Sequence, residues 1–526
     1  MSELTDNGRL SILFSLVHPG YLRNFDSSIR ALSERGHRVQ LLFAHHRKAE
    51  DVGRTLLDEY ATKYGIGYHV RSFPPTFWAE WARWIRAVRD YVRYFRPEFR
   101  HTTKLRRRAA AGVPPLLRWV LALPGVGRTL SGRVFTWVLT RAEAAIPANK
   151  AIVGYLRHCK IDLLMVSPLV DFGSPQTEYV KAAQRLGIRT ALPVASWDNL
   201  TNKGQIRVIP DLVAVWNHLQ EQEAIRIHRI APQRIAVTGA EAYDHWFTWQ
   251  ATNRDRFCAR IGLDPSRPYF LYLGSSGFIS GDETAFTTAW IKRLRAARDP
   301  VLRTAGVIIR PHPQNVRYWE HFDTGQFSDV VIYPRGGSNP LNAEDKQDYF
   351  DSIFHSAGSI GINTSALIES AILQREVFTI LDDRFKETQE GTLHFHYLVD
   401  PEFGFLRISR SFDEHFDQLA PALQPDPQVG VRAKRFIETF IRPHGVDTEA
   451  TPLLAAALER VATEPVAIPK SFPVATAVSS VPALVAWSVG VSERLLERVE
   501  VPKFIRRRLK QRRKQRRSAS GSAAAT

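Results

Sequence analysis

An α/β fold made of two doubly wound parallel sheets is predicted by three observations on this chain. Short apolar runs end in polar loops bearing glycine or proline and pass at once into helix-favouring runs, the pattern of strand–loop–helix units. The pattern occurs in both halves, at Ser11-Ile12-Leu13-Phe14-Ser15 and again at Tyr269-Phe270-Leu271-Tyr272-Leu273. At 526 residues the chain exceeds the size at which one core stops growing, so two or more domains are expected. A hydrophobic content of 44% beside 24% charged residues is that of a globular protein.

In chain order, residues 1–247 form the first domain. A strand at 11–15 leads through His18-Pro19-Gly20-Tyr21 and an amphipathic run to Gly36-His37, then to a strand at Arg38-Val39-Gln40-Leu41-Leu42-Phe43. Residues 71–150 read as a helical insertion. Strands near Leu163-Leu164-Met165-Val166, Thr190-Ala191-Leu192-Pro193-Val194 and Leu212-Val213-Ala214-Val215 complete the sheet. A hinge is expected within 248–266, where Asp264-Pro265-Ser266-Arg267-Pro268 punctuates entry to the next strand. The second domain spans 248–445, a linker or return helix 446–470, and an apolar segment with a basic, disordered tail 471–526. The pseudo-repeat is the domain pair, not a solenoid.

Charge is unevenly placed. The net charge is +18, yet residues 71–141 hold fifteen Lys/Arg against Glu80, Asp90 and Glu98, and residues 503–517 hold ten with no acid. The rest of the chain is therefore mildly acidic, which argues against a nucleic-acid surface spread over the body. In the first basic module Phe77, Trp78, Trp81, Trp84, Tyr91, Tyr94 and Phe95 interleave with Arg83, Arg86, Arg89, Arg93 and Arg96. Such a helix can lie among lipid headgroups with indoles at the interface and guanidiniums on phosphates, or pack its Trp face on the first domain. The run Leu116–Leu123 adds an apolar stretch too short to span a bilayer. Residues 471–492 carry no charge, but Pro473 and Pro482 interrupt them. An anionic membrane surface is thus the expected partner of 77–123 and 471–517, with RNA the competing partner of the tail. Two cysteines, Cys159 and Cys258, give no disulfide framework, and the N-terminus lacks a basic and apolar leader. A cytoplasmic location, peripheral to the inner membrane, is expected.

The chemistry-bearing residues cluster at strand ends. Gly274, Ser275 and Ser276 follow one strand, offering close backbone approach and two hydroxyls. Arg310-Pro311-His312-Pro313 follows another, a guanidinium and an imidazole between prolines that fix φ. Asn363-Thr364-Ser365 follows a third and opens a helix whose first turn carries Glu369. In a parallel sheet, ligands lie beyond the carboxyl ends of the strands. A guanidinium, an imidazole, hydroxyls and a helix terminus together suit a nucleotide diphosphate. No G-x-G-x-x-G follows the first strand, which argues against a nicotinamide dehydrogenase.

Arg310-Pro311-His312-Pro313 with Gly361-Ile362-Asn363-Thr364-Ser365-Ala366-Leu367-Ile368-Glu369 resembles the donor half of GT-B glycosyltransferases, two Rossmann-like domains facing a central cleft. The resemblance is greatest to bacterial capsule, lipopolysaccharide and teichoic-acid polymer enzymes, including CDP-glycerol glycerophosphotransferase relatives. The opening strand–helix–strand unit agrees, as does the segment from Ser196-Trp197-Asp198-Asn199 through Val215-Trp216-Asn217 to Val237-Thr238-Gly239. The helix from Val431 to Arg442 resembles the terminal helix that crosses back in these enzymes. Many retaining members carry two glutamates eight positions apart, whereas Glu369 and Glu376 are seven apart. The resemblance implies transfer of a sugar from a nucleotide-diphosphate donor to an envelope glycan or lipid-linked acceptor. Polyol-phosphate transfer and nucleotide-sugar epimerisation are its enzyme rivals, and a basic adaptor with a degenerate fold is the non-enzyme one.

Metal independence is expected, because Arg310, His312 and the 363–365 corner could neutralise a leaving diphosphate and no Asp-x-Asp or His/Cys cluster is present. No cofactor is expected beyond the donor substrate. A general base would come from the first domain. His18, just past the first strand, is the leading candidate unless it only bonds local backbone, and Asp171 and Asp198 compete with it. His394 and His396 lie on a loop near enough in sequence to the donor half to touch base or sugar.

Overall fold

The computed structural model describes residues 8–44, 54–337, 340, 342–424 and 426–465. The chain divides into two compact units, residues 1–139 with 147–468, and residues 140–146 with 469–526. Both sheets lie in the first unit. The tail and the 471–492 segment fall outside the described residues. Among the described residues no helix is long and apolar enough to cross a membrane.

Seven parallel strands form the first sheet: β1 (Ser11–Leu16), β2 (Arg38–Phe43), β3 (Gly67–Val70), β4 (Leu163–Ser167), β5 (Arg189–Pro193), β6 (Leu212–Val215) and β7 (Ile235–Val237), in the order β3-β2-β1-β4-β5-β6-β7. The second sheet has six, β8 (Tyr269–Leu273), β9 (Gly306–Arg310), β10 (Val330–Ile332), β11 (Gly358–Gly361), β12 (Glu376–Ile380) and β13 (Leu406–Ser409), in the order β10-β9-β8-β11-β12-β13. Helices cover both faces, so strands such as β4 and β8 are buried along their whole length and read as unbroken apolar runs rather than alternating ones. This is the predicted α/β pair of Rossmann-like sheets. Strand order reverses beside β1 in one sheet and beside β8 in the other, with Leu16 in register with Ser167 and Leu273 with Gly361. The loops leaving these strands therefore open at the crevices where such sheets bind ligands.

The chain crosses between lobes twice. A 3-10 turn, Glu241–Phe247, carries it outward, and the helix Gln428–Phe436, continued by a π-turn at Ile437–Ile441, brings it back. The helix Ala450–Thr463 then packs on the helix Asp26–Glu34 and on β5 and β6, its Leu454, Leu458 and Val461 sharing one core with Ile29, Leu32, Ala191 and Leu212 of the first lobe. Full burial of each such side chain contributes about 1.5–3 kcal/mol.

The insertion departs from the interfacial-helix expectation. Its long helix, Ala79–Arg93, turns the arginines inward: Arg86, Arg89, Arg93 and the following Arg96 are buried, while Trp81 and Trp84 meet edge to face with centroids 5.2 Å apart, half-exposed. Arg89 donates to the Arg207 carbonyl at 3.0 Å, and Arg93 donates to the carbonyls of Gly204 at 3.3 Å and Lys203. Arg86 pairs with Glu178, and Asp90 pairs with Arg207. The 199–207 segment has too little regular structure to satisfy its own carbonyls, and the guanidinium fork supplies the donors. Arg86, Arg89 and Arg93 are occupied by the protein itself.

Candidate donor pocket

The loops after β8, β9 and β11 meet the loop after β1 in a cavity of about 160 Å³. From the second lobe come Gly274, Arg310, His312, Thr364, Ser365 and Glu369, all expected from the sequence. Gly274 is needed for the approach of backbone to backbone, since a Cβ there would lie 3.0 Å from the His312 amide. Arg310, at 7% exposure, donates to Ser352 Oγ at 3.2 Å and lies 4.6 Å from the Tyr349 ring centroid. Burial holds its pKa below the usual guanidinium value, against the pull of Tyr349 and Asp348. A buried cation of this kind favours an anionic partner.

His312 Nδ1 accepts the Gln314 backbone N–H at 3.1 Å, which places the proton of the neutral ring on Nε2. Burial, with Arg23 nearby, lowers its pKa to about 4, so the ring is a neutral donor at physiological pH. Glu369 accepts a hydrogen bond from the Tyr349 hydroxyl, and burial raises its pKa to about 7.

Three other expected residues turn away. Asn363 is buried and donates to the Thr388 carbonyl at 2.6 Å. Ser275 is buried, its backbone N–H donating to Glu283 at 3.1 Å, and Ser276 sits in the following turn, its carbonyl accepting from Ile279 at 2.9 Å. Ser365 caps nothing with its side chain, and the helix it opens, Ala366–Ile372, is only seven residues long. The positive charge at the cavity thus comes from side-chain cations more than from a helix end. Glu376, the second glutamate of the spacing comparison, lies in β12 and is ion-paired with Arg407 at 2.9 Å and Arg432 at 3.1 Å.

Sequence reasoning missed the first lobe's share of the wall. Arg23, from the 3-10 turn Pro19–Asn24, stands exposed at the pocket with no ion pair among the described residues, and its charge reaches both His312 and Glu369. Its position five residues past His18 in the loop after β1 was the available signal. Tyr243, His245, Trp246 and Trp249 line the same cavity with Tyr349 and Phe350, Trp246 stacking on Phe350 at 5.6 Å. Lys346 also lines it and joins the lobes through Asp26 at 3.0 Å.

The expected catalytic trio gathers beside this pocket rather than in its wall. His18 Nδ1 accepts the Gly20 backbone N–H at 3.1 Å, capping the 3-10 turn, and its ring lies 4.9 Å from Tyr21. In the neutral tautomer its basic lone pair is committed to that cap, a structural task that competes with proton abstraction. Asp171 binds Lys203 at 2.8 Å. Burial would lower the Lys203 pKa, but Tyr21, Asp171 and Asp198 outweigh it and keep the ammonium charged. Asp198, two residues past the pocket-lining Ser196, is desolvated, yet Lys203 and His394 hold its pKa below the ordinary value. His394 packs edge to face on Trp197 at 4.4 Å, so this second-lobe ring does reach the first lobe. His396 donates from Nε2 to the Glu390 carbonyl, 3.0 Å away, an exposed local contact. Among the described residues no three His, Cys, Asp or Glu side chains group as a metal site requires.

No protein-family model matches the sequence, and no curated protein is significantly similar to it. Solved structures share its fold. A glycosyltransferase from Rickettsia africae superposes with a TM-score of 0.50 at 10% identity, covering 87% of this chain and 100% of that one. A protein assigned as a UDP-N-acetylglucosamine 2-epimerase from Listeria monocytogenes superposes with a TM-score of 0.51 at 11% identity, covering 88% of this chain and 99% of that one. The architecture of the chain is accordingly the GT-B fold.

Proposed function

We propose that this protein is a glycosyltransferase that holds a nucleotide-diphosphate sugar in the interlobe pocket and transfers the sugar to an envelope glycan or lipid-linked acceptor approaching past the first lobe. The observation that carries this reading is the convergence of Arg23 from one lobe with Arg310 and His312 from the other on a single cavity. Guanidiniums aimed at a developing diphosphate stabilise the leaving group, the task a metal ion performs elsewhere. His312 donates from Nε2 to the same oxygens. Glu369, able to hold or release a proton near neutrality, accepts from donor hydroxyls. At about 160 Å³ the cavity is smaller than the roughly 300–1,000 Å³ of complete small-molecule sites, so it suits the diphosphate and adjoining sugar, with the nucleoside along the open cleft. On the acceptor side Asp198, ionised and near Ser196, orients the incoming hydroxyl.

Epimerisation of a nucleotide sugar is the second reading, favoured by the near-neutral proton affinity of Glu369. Polyol-phosphate transfer draws no support from the two fold neighbours, a glycosyltransferase and a presumed epimerase by their own descriptions. A thermal-shift screen of UDP, GDP, CDP and CMP and their sugars tests the pocket. Arg310→Ala should weaken nucleotide affinity at least tenfold by calorimetry, and unchanged affinity would remove the site. Appearance of an epimeric nucleotide sugar without acceptor, followed by NMR, would select the second reading.

A further inference from the structure

Away from the donor pocket, the insertion and the first lobe enclose a surface bowl of about 1080 Å³. Arg96, Arg133, Arg226 and Arg229 all line it, and among the described residues none of the four has a carboxylate within ion-pair distance. Glu98 is the one acid in the lining. Arg96 is only 8% exposed and is held by the Ile227 carbonyl at 3.4 Å, a weak contact for a buried guanidinium. Burial and the neighbouring Arg229 depress its pKa to about 10, and Arg133 in turn presses on Arg229. Repulsion between Arg96 and Arg229 and between Arg229 and Arg133 raises the free energy of the empty protein, and a phosphate group among the four guanidiniums lowers it by bidentate hydrogen bonding.

The rim is apolar. Val134 and Trp137 are 78% and 53% exposed at the bowl. Exposed apolar side chains beside arginines without a carboxylate partner match an amphiphile, since a phosphodiester polymer offers Val134 nothing. We infer that this bowl docks the protein on a bilayer, taking the phosphate of an anionic phospholipid between Arg96, Arg133, Arg226 and Arg229 while Val134 and Trp137 enter the acyl boundary. The site is distinct from the inward-facing arginines of the Ala79–Arg93 helix and does not depend on the transferase reading.

The test uses the full chain carrying Val134→Cys labelled with an environment-sensitive nitrobenzoxadiazole, with Cys159→Ser to keep the label unique. Phosphatidylcholine vesicles containing phosphatidylglycerol should shift its emission to the blue, and pure phosphatidylcholine should not. Arg133→Gln with Arg229→Gln should raise the lipid needed for half the shift roughly 30-fold, the loss implied by two cations worth about 1 kcal/mol each at a membrane surface. Sedimentation with the vesicles and no change at the label would overturn the inference, because the basic 503–517 run would then be the sole anchor. So would an arginine-dependent response to single-stranded RNA or to millimolar inorganic phosphate with no response to vesicles.

Discussion

Glu369 sits in the wall of a cavity that also holds two guanidiniums, yet burial outweighs Arg23 and Arg310 and leaves its pKa near 7. The folded protein therefore binds this proton more tightly than the unfolded chain does. Its stabilising contribution is complete below the ordinary carboxylate pKa of about 4.5 and is lost as pH rises through about 7. Two outcomes follow for Glu369→Gln. Its melting temperature relative to wild type should be higher at pH 8 than at pH 5 by scanning calorimetry. Nucleotide affinity in the wild type should fall between pH 6 and pH 8, as a carboxylate appears beside the phosphates, and the Gln variant should flatten that fall. At this scale the sequence disclosed the strand-end part of the second lobe's share of the pocket, because Gly274, Arg310, His312 and Glu369 follow closely on apolar runs. Arg23, Lys346 and Tyr349 were harder to see. They lie on helical turns whose composition is ordinary; the docking of the lobes brings Arg23 to the cavity, while Lys346 and Tyr349 reach it from the second-lobe helix Ala343–Phe354.

Elements show the same division. Buried parallel strands announce themselves as apolar runs, and β1, β2, β4, β5, β6, β8 and β9 fall where those runs are. The insertion helix Ala79–Arg93 was harder, because its period marks two faces without saying which is inside. Tyr91 and Tyr94 turn inward as aromatic rings ordinarily do, and the carbonyls of the 199–207 segment draw Arg89 and Arg93 in as well. Asp90 is the pivot of that arrangement. It accepts the Gln205 backbone N–H at 2.7 Å and pairs with Arg207, whose side chain is wholly buried. Asp90→Ala leaves a buried guanidinium without its counter-charge and should cost about 3–5 kcal/mol in a denaturant melt. Replacing the exposed Glu80, which pairs with Arg83 in water, should cost less than about 1 kcal/mol.

Across the whole molecule, the two crossings between lobes are bound together by one side chain. Asp244, on the outward turn, pairs with Arg442 at 2.8 Å on the return and accepts the backbone N–H groups of Ala450 at 3.1 Å and Thr451 at 2.7 Å. It thus fixes the lobe connection and starts the last described helix at once. Asp244→Ala strands the 5%-exposed Arg442 and uncaps that helix, so a loss of about 3–5 kcal/mol and a broadened thermal transition are expected by calorimetry. The helix in question also sets an order of assembly. Leu454 and Leu458 share the first lobe's core with Ile29 and Leu32 of the helix Asp26–Glu34, residues separated by most of the chain. During synthesis the opening sheet must wait, the face beneath its early helices Asp26–Glu34 and Arg54–Tyr64 only partly covered, until its final helix has left the ribosome, whereas the second sheet can close on segments that are near one another in the nascent chain. The later-made lobe is then the earlier to mature, and the waiting face is where chaperones would engage the growing polypeptide.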